Sequence, residues 1–196
     1  EKEAKKLVKP YVKELKGRFG NHVYTTQEEV TLEKAVIDLL LANHLTVGTV
    51  ESCTGGLLAA RLINVPGVSE VFKTGYITYS NKSKRKLLGI KKTMLEKYGA
   101  VSPQIAKEMA KGAALFGKAD VTVGITGVAG PDGGSEEKPV GLVYIACNVC
   151  GRINVKECHF SGNRMKIRES SVSSALSLMR ESILAYYSEV TFGKKS

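Results

Sequence analysis

The chain has 196 residues, 43% hydrophobic and 24% charged, enough for one well-buried domain plus a short extra element. It contains no apolar run near the roughly 20 residues that span a bilayer and no signal-peptide pattern, so the expectation is a cytoplasmic protein with no membrane partner. The net charge of +10, from 29 Lys and Arg against 19 Asp and Glu, favours anionic partners such as phosphorylated metabolites or nucleic acid. Its basic residues are spread out, with local runs at "NKSKRK" (81–86) and "KK" (91–92). Nucleic acid is therefore possible but not favoured.

Residues 4–18 read as an amphipathic helix with Val8, Val12 and Leu15 on one stripe, kinked at or begun by Pro10. "HVYT" (22–25) reads as a short strand and 25–31 as a linker, with Thr31 capping the next helix. The expected organisation is an appendage, or the tail of an upstream domain, over 1–30, a main domain over 31–190 and a basic tail over 191–196. The chain opens without Met, as a fragment or processed form would.

From residue 32 helices and strands alternate. A helix (32–45) precedes the strand "TVGTVE" (46–51) and the helix "TGGLLAARLINV" (54–65). "VFKTGYITYS" (71–80) is a strand, followed by a short helix from "KSKRKLL" that Gly89 stops, and another over 92–99. Ser102-Pro103 opens a third, an N-cap followed by Pro at the first position. Next come strand 119–127, a Gly-rich loop (128–139), a hairpin turning at Cys150-Gly151, and a closing helix over 164–187. This order predicts a three-layer α/β/α sandwich with a mixed, mostly parallel sheet and a late β-hairpin.

In open α/β sheets ligands gather beyond the carboxyl ends of strands. Three strands end in suitable loops. The first, "ESCTGG" (51–56), offers the nucleophiles Ser52, Cys53 and Thr54 at a helix start, with Gly55 and Gly56 to admit a ligand. Ser52 or Thr54 could equally well only cap that helix. The second tip carries Tyr79 and Lys82, and a buried Lys can serve a Ser as general base. The chain's three histidines suit no Ser triad. The third, "ITGVAGPDGG", projects Thr126 and Gly127, and beyond it Arg164 and Arg168 stand at the start of the last helix, where an Arg suits a phosphate or only solvent. Cys147 and Cys150 form a C-x-x-C followed by Cys158-His159; adjacent strand residues face opposite ways, so reduced core cysteines are the expected reading and no metal is expected.

Taken together, "ESCTGGLLAARLINVPGVSEVFKTGYITYSNKSKRKLLGI", "GAVSPQIAKEMAKGA" and "GITGVAGPDGGSEEKPVGLVYIA" resemble the C-terminal domain of the CinA family (competence/damage-inducible protein), which also occurs alone as a nicotinamide-nucleotide amidohydrolase. The resemblance runs from about residue 32 to 187. It implies deamidation of nicotinamide mononucleotide to nicotinate mononucleotide and ammonia, with no metal or cofactor, in a homo-oligomer. Carried onto this chain it implies Ser52 as nucleophile, Lys82 as base and Tyr79 as assistant. It matches Thr126 and Arg164 to substrate-contacting positions, and Thr54, Gly55, Gly56 and Gly127 of the strand tips are expected to bind substrate with them. The rival expectation is a catalytically silent nucleic-acid or partner-binding module.

Overall fold

A computed structural model describes residues 2–193. Helix α1 (Lys2–Phe19) runs unbroken through Pro10 and exposes Leu7, Val8, Tyr11, Leu15 and Phe19. One 3-10 turn (Gly20–His22) follows. The short strand expected at 22–25 does not form: these residues enter no ladder, and without a partner strand four residues cannot hold extended structure. Helix α2 (Leu32–Ala42) starts at Thr31, whose side chain accepts from the Lys34 N–H at 3.3 Å. The basic tail expected at 191–196 falls largely outside the described residues.

The alternation then proceeds as β1 (Val47–Glu51), α3 (Leu57–Ile63), β2 (Phe72–Ile77), α4 (Asn81–Leu88), α5 (Lys92–Tyr98), α6 (Pro103–Gly117), β3 (Val121–Gly127), β4 (Leu142–Val149), β5 (Arg152–His159) and α7 (Arg164–Gly193). The five strands form one sheet in the order β2-β1-β3-β4-β5. β1 pairs parallel with both β2 and β3, while the β3/β4 and β4/β5 pairs are antiparallel. Only β4 is therefore reversed, and the sheet is mixed as expected. The hairpin turns on Cys150 and Gly151, both at positive φ (48° and 93°), the backbone that a two-residue turn between twisted strands requires.

Helices cover both faces. Val36, Leu40, Leu58, Leu62, Leu176 and Met179 from α2, α3 and α7 pack on Val47, Val121 and Ile145 of the sheet. On the opposite face Leu88, Leu95, Ile105 and Met109 from α4, α5 and α6 gather around Val50. β1 and β3 are buried along almost their whole length, as central parallel strands with two covered faces must be.

The α6 layer sits unusually close to the sheet at Gly124. A Cβ there would stand 2.7 Å from the Ala106 carbonyl oxygen and 3.0 Å from the Ala110 nitrogen, both helix backbone. Gly124→Ala should therefore push α6 off β3 and cost about 2 kcal/mol. In thermal unfolding followed by circular dichroism this reads as a fall in Tm of roughly 4–8 °C. An unchanged Tm would contradict the close approach.

Candidate active site

Because β1, β2 and β3 run the same way, their carboxyl ends meet. The Ser52 N–H donates to the Ile125 carbonyl at 3.0 Å, and the Thr78 N–H donates to the Glu51 carbonyl at 2.8 Å, tying the three tips together. Beyond them lies a cavity of about 270 Å³. Ser52, Tyr79, Thr126, Gly127 and Arg164 all line it, so the structure brings these five sequence candidates to one place.

Lys82 is not among them, which corrects the sequence expectation. It is exposed and lines a different crevice. The lysine at Ser52 is Lys84, only 1% exposed, whose Nζ donates to Ser52 Oγ at 3.0 Å and to the Thr78 carbonyl at 2.6 Å. Burial lowers its pKa from the ordinary 10.5 to about 8, only partly opposed by the charge a Cys53 thiolate would carry. The physical reason for the exchange is helical phase. Ser80 caps α4, its hydroxyl accepting from the Ser83 N–H at 3.0 Å while the Ser80 N–H donates to Ser83 Oγ at 3.1 Å. From that fixed start, positions 82 and 84 point to opposite sides of the helix. Lys84 shares its side with the buried Leu88 four residues on; Lys82 shares its side with Arg85 and Lys86. The spacing of Lys84 to Leu88 was the signal in the sequence.

Glu51, in the first tip but given no role in the sequence analysis, organises the turn. It is fully buried, and its carboxylate accepts from the N–H groups of Gly56 (3.0 Å), Leu58 (3.0 Å) and Ala59 (2.9 Å). It thus satisfies the amino end of α3 from inside the protein. Neither Ser52 nor Thr54 caps this helix, so the alternative of a simple hydroxyl cap falls away. Gly55 and Gly56, at φ +61° and +94°, make the turn back from Ser52 possible. Neither they nor Thr54 line the cavity, so the structure does not bring these three sequence candidates to it. The Thr54 carbonyl accepts from Arg168 at 2.7 Å, and its buried hydroxyl has no partner among the described residues.

The remaining lining groups are held by the chain itself. Thr126 donates to the Ala100 carbonyl at 2.8 Å. Gly127 lets β4 come close, since a Cβ there would meet the Leu142 carbonyl oxygen at 2.6 Å. Arg164 donates to the Gly130 carbonyl at 2.6 Å and to the Tyr79 hydroxyl at 3.0 Å, bridging the second and third tips. Cys53 also lines the cavity, but burial pushes its thiol up to about 11, so it stays protonated and unreactive near neutrality. Cys147 and Cys158 are buried core thiols, and Cys150 is exposed at the hairpin turn.

This architecture has known relatives. The chain is 48% identical over 182 residues to a competence-damage inducible protein of Clostridium novyi (strain NT), covering 93% of this chain and 44% of that one. It is 49% identical over 186 residues to a protein of the same description from Clostridioides difficile (strain 630), covering 92% and 44%. The chain thus spans less than half the length of these relatives. Among solved structures, the competence/damage inducible protein CihA from Agrobacterium tumefaciens is 41% identical with a TM-score of 0.74, covering 76% of this chain and 91% of that one. A competence-damaged protein (CinA) superfamily protein from Klebsiella pneumoniae is 32% identical with a TM-score of 0.76, covering 79% and 96%. The family model described as the CinA C-terminal domain matches residues 29–183, and the chain belongs to that family.

Proposed function

We propose that this cavity hydrolyses the carboxamide of nicotinamide mononucleotide to the carboxylate and ammonia, through a serine ester. The observation that carries the reading is the buried contact of Lys84 Nζ with Ser52 Oγ at 3.0 Å. A lysine whose pKa lies near 8 is neutral often enough to take a proton, and no histidine lines the cavity. Neutral Lys84 keeps one N–H on the Thr78 carbonyl and turns its lone pair to the Ser52 hydroxyl. Ser52 Oγ attacks the carboxamide carbon as its proton moves to Lys84. The C–N bond then breaks, the Lys84 proton leaves with the ammonia, and an ester remains on Ser52. Water attacks that ester, gives one proton to Lys84, and Lys84 returns it to Ser52 Oγ as the carboxylate departs.

The developing oxyanion needs N–H donors. Gly55 spends its N–H on the Ser52 carbonyl, and those of Gly56, Leu58 and Ala59 go to Glu51. The amides of Cys53 and Thr54 are what the turn has left for the oxyanion. The same occupancy excludes the amino end of α3 as a phosphate seat, so phosphate recognition falls to Arg164. Its fork still has donors beyond the two bonds it makes, and the Tyr79 hydroxyl, which accepts from Arg164, can give its own proton to the ligand. A cavity of 270 Å³ is at the small end for a metabolite site and suits a mononucleotide better than a dinucleotide.

Ammonia release from nicotinamide mononucleotide tests the reading. Ser52→Ala should abolish turnover, and Lys84→Met should lower kcat by roughly 100-fold or more. Lys82→Met should stay within about twofold of wild type. The reverse order of the two lysine variants would return the base to Lys82, and turnover by Ser52→Ala would remove the nucleophile.

The pH profile has a definite sign. The base works unprotonated, so kcat/KM should rise about tenfold per pH unit below about 8 and level off above it. A profile flat from pH 6 to 9 would contradict a lysine base.

Glu51→Gln puts an amide N–H against three amide donors. It should cost about 2 kcal/mol, or roughly 4–8 °C in Tm. Displacing the Ser52 turn should also lower kcat at least tenfold with KM near wild type. If Glu51→Gln lost stability alone, the carboxylate would hold the fold and not the nucleophile.

A further inference from the structure

A concentration of unopposed charge lies outside the site, on the other side of α4. There a crevice of about 670 Å³ runs between α4 and α5, more than twice the size of the cavity at Ser52. Lys82, Arg85, Lys86, Lys91 and Lys92 line it, against a single acid, Glu96. Lys92 is paired with Glu96 at 3.3 Å. Among the described residues the other four cations have no acidic partner within 4 Å. Four of the molecule's ten net positive charges are thus collected in one concave feature. All five basic residues are exposed, while Ile90 beneath them is buried.

The cations are arranged as a row. Residues 82, 85 and 86 occupy successive turns of one side of α4, and Lys82 and Lys86 are about 6 Å apart along the axis. Lys91 and Lys92, at the N-cap and first position of α5, line the same crevice after the turn that Gly89 makes at φ +68°. A row of cations fits a chain of phosphates better than one compact anion, which would need them to converge. A concave slot admits a single strand, whereas a duplex presents its phosphates on a convex surface. No aromatic side chain lines the crevice, so base stacking is not what it offers.

We propose that the α4/α5 crevice binds the sugar–phosphate backbone of single-stranded nucleic acid, without sequence preference and independently of the chemistry at Ser52. Four unpaired cations acting on a single strand predict that log K falls with log salt at a slope of about −3. Affinity should then drop roughly 50-fold between 50 and 200 mM salt.

The test is fluorescence anisotropy of a labelled 15-nucleotide single strand, titrated with the full chain at several salt concentrations. Lys82→Ala/Lys86→Ala/Lys91→Ala should lose most of the affinity at 50 mM salt and flatten the slope to about −1. A control with the same loss of charge, Lys13→Ala/Lys73→Ala/Lys156→Ala, should bind within about threefold of wild type. Equal melting temperatures establish that both variants fold. A duplex of the same length should bind more weakly than the single strand. The proposal is overturned if wild type does not bind at 50 mM salt, if the two triple variants weaken equally, or if the duplex binds better. It is likewise overturned if the crevice variant changes sedimentation while leaving anisotropy intact, which would make the crevice a contact between copies of the chain.

Discussion

The site depends on burying a lysine with nothing negative to pair with it. Lys84 is among the largest fully buried side chains of the protein, and its partners are a carbonyl and a hydroxyl. Holding an ammonium there costs several kcal/mol, and shedding the proton relieves much of that cost. Burial and basicity at neutral pH are therefore one property. A carboxylate pointing the same way would undo it by keeping Lys84 charged. Glu51 adjoins Ser52 in the chain, and its oxygens are turned instead to the amides of Gly56, Leu58 and Ala59. The negative charge is absorbed by α3, and the lysine is left to its hydroxyl.

That division of labour also fixes the position of Ser52. Glu51 ends β1 and Ser52 begins the turn, so one residue anchors the turn to the helix while the next faces the cavity. Ser52 is bonded back to β3 through its N–H, and β2 is bonded to Glu51 through Thr78. Thr78 then uses its carbonyl to hold Lys84. Lys84 and Ser52, the proposed base and nucleophile, are consequently held by hydrogen bonds to the backbone at the tips of parallel strands. Cys53 follows Ser52, yet its thiol is held near 11 by burial. In the proposed reaction the nucleophile is therefore Ser52, with Lys84 beside it, and not Cys53, whose surroundings withhold its thiolate.

Much of this was legible in the sequence because strand order and loop composition are local properties. The alternation of apolar β-branched runs with amphipathic stretches gave the layers, and polar or Gly-rich residues after three strands marked Ser52, Tyr79, Thr126, Gly127 and Arg164. What failed was phase. Lys82 reads as the lysine nearest the second strand tip, at the start of the helix read from "KSKRKLL". Ser80 fixes the phase of that helix, and two positions along it are opposite sides. Glu51 was missed for a related reason: a carboxylate at the end of an apolar strand reads as exposed, and only the fold supplies the three amides that allow it to be buried. Thr54, Gly55 and Gly56 belong to the turn that carries Ser52 but do not line the cavity, a distinction that the turn's three-dimensional path decides.

Helix α4 shows how one short segment can carry two environments. It has eight residues and four cations, and the capping at Ser80 sends one of those cations inward and three outward. The inward lysine loses solvent and with it much of its hold on a proton. The outward ones keep solvent, stay charged and meet Lys91 and Lys92 across the Gly89 turn. Any change that rotates α4 by half a turn would exchange the two sets, leaving Ser52 without its lysine partner and the crevice without its cations. The cap is therefore a determinant of both surfaces although Ser80 lines neither, and Leu88, by packing against Ile105 and Met109, locks the far end of the helix in the same phase.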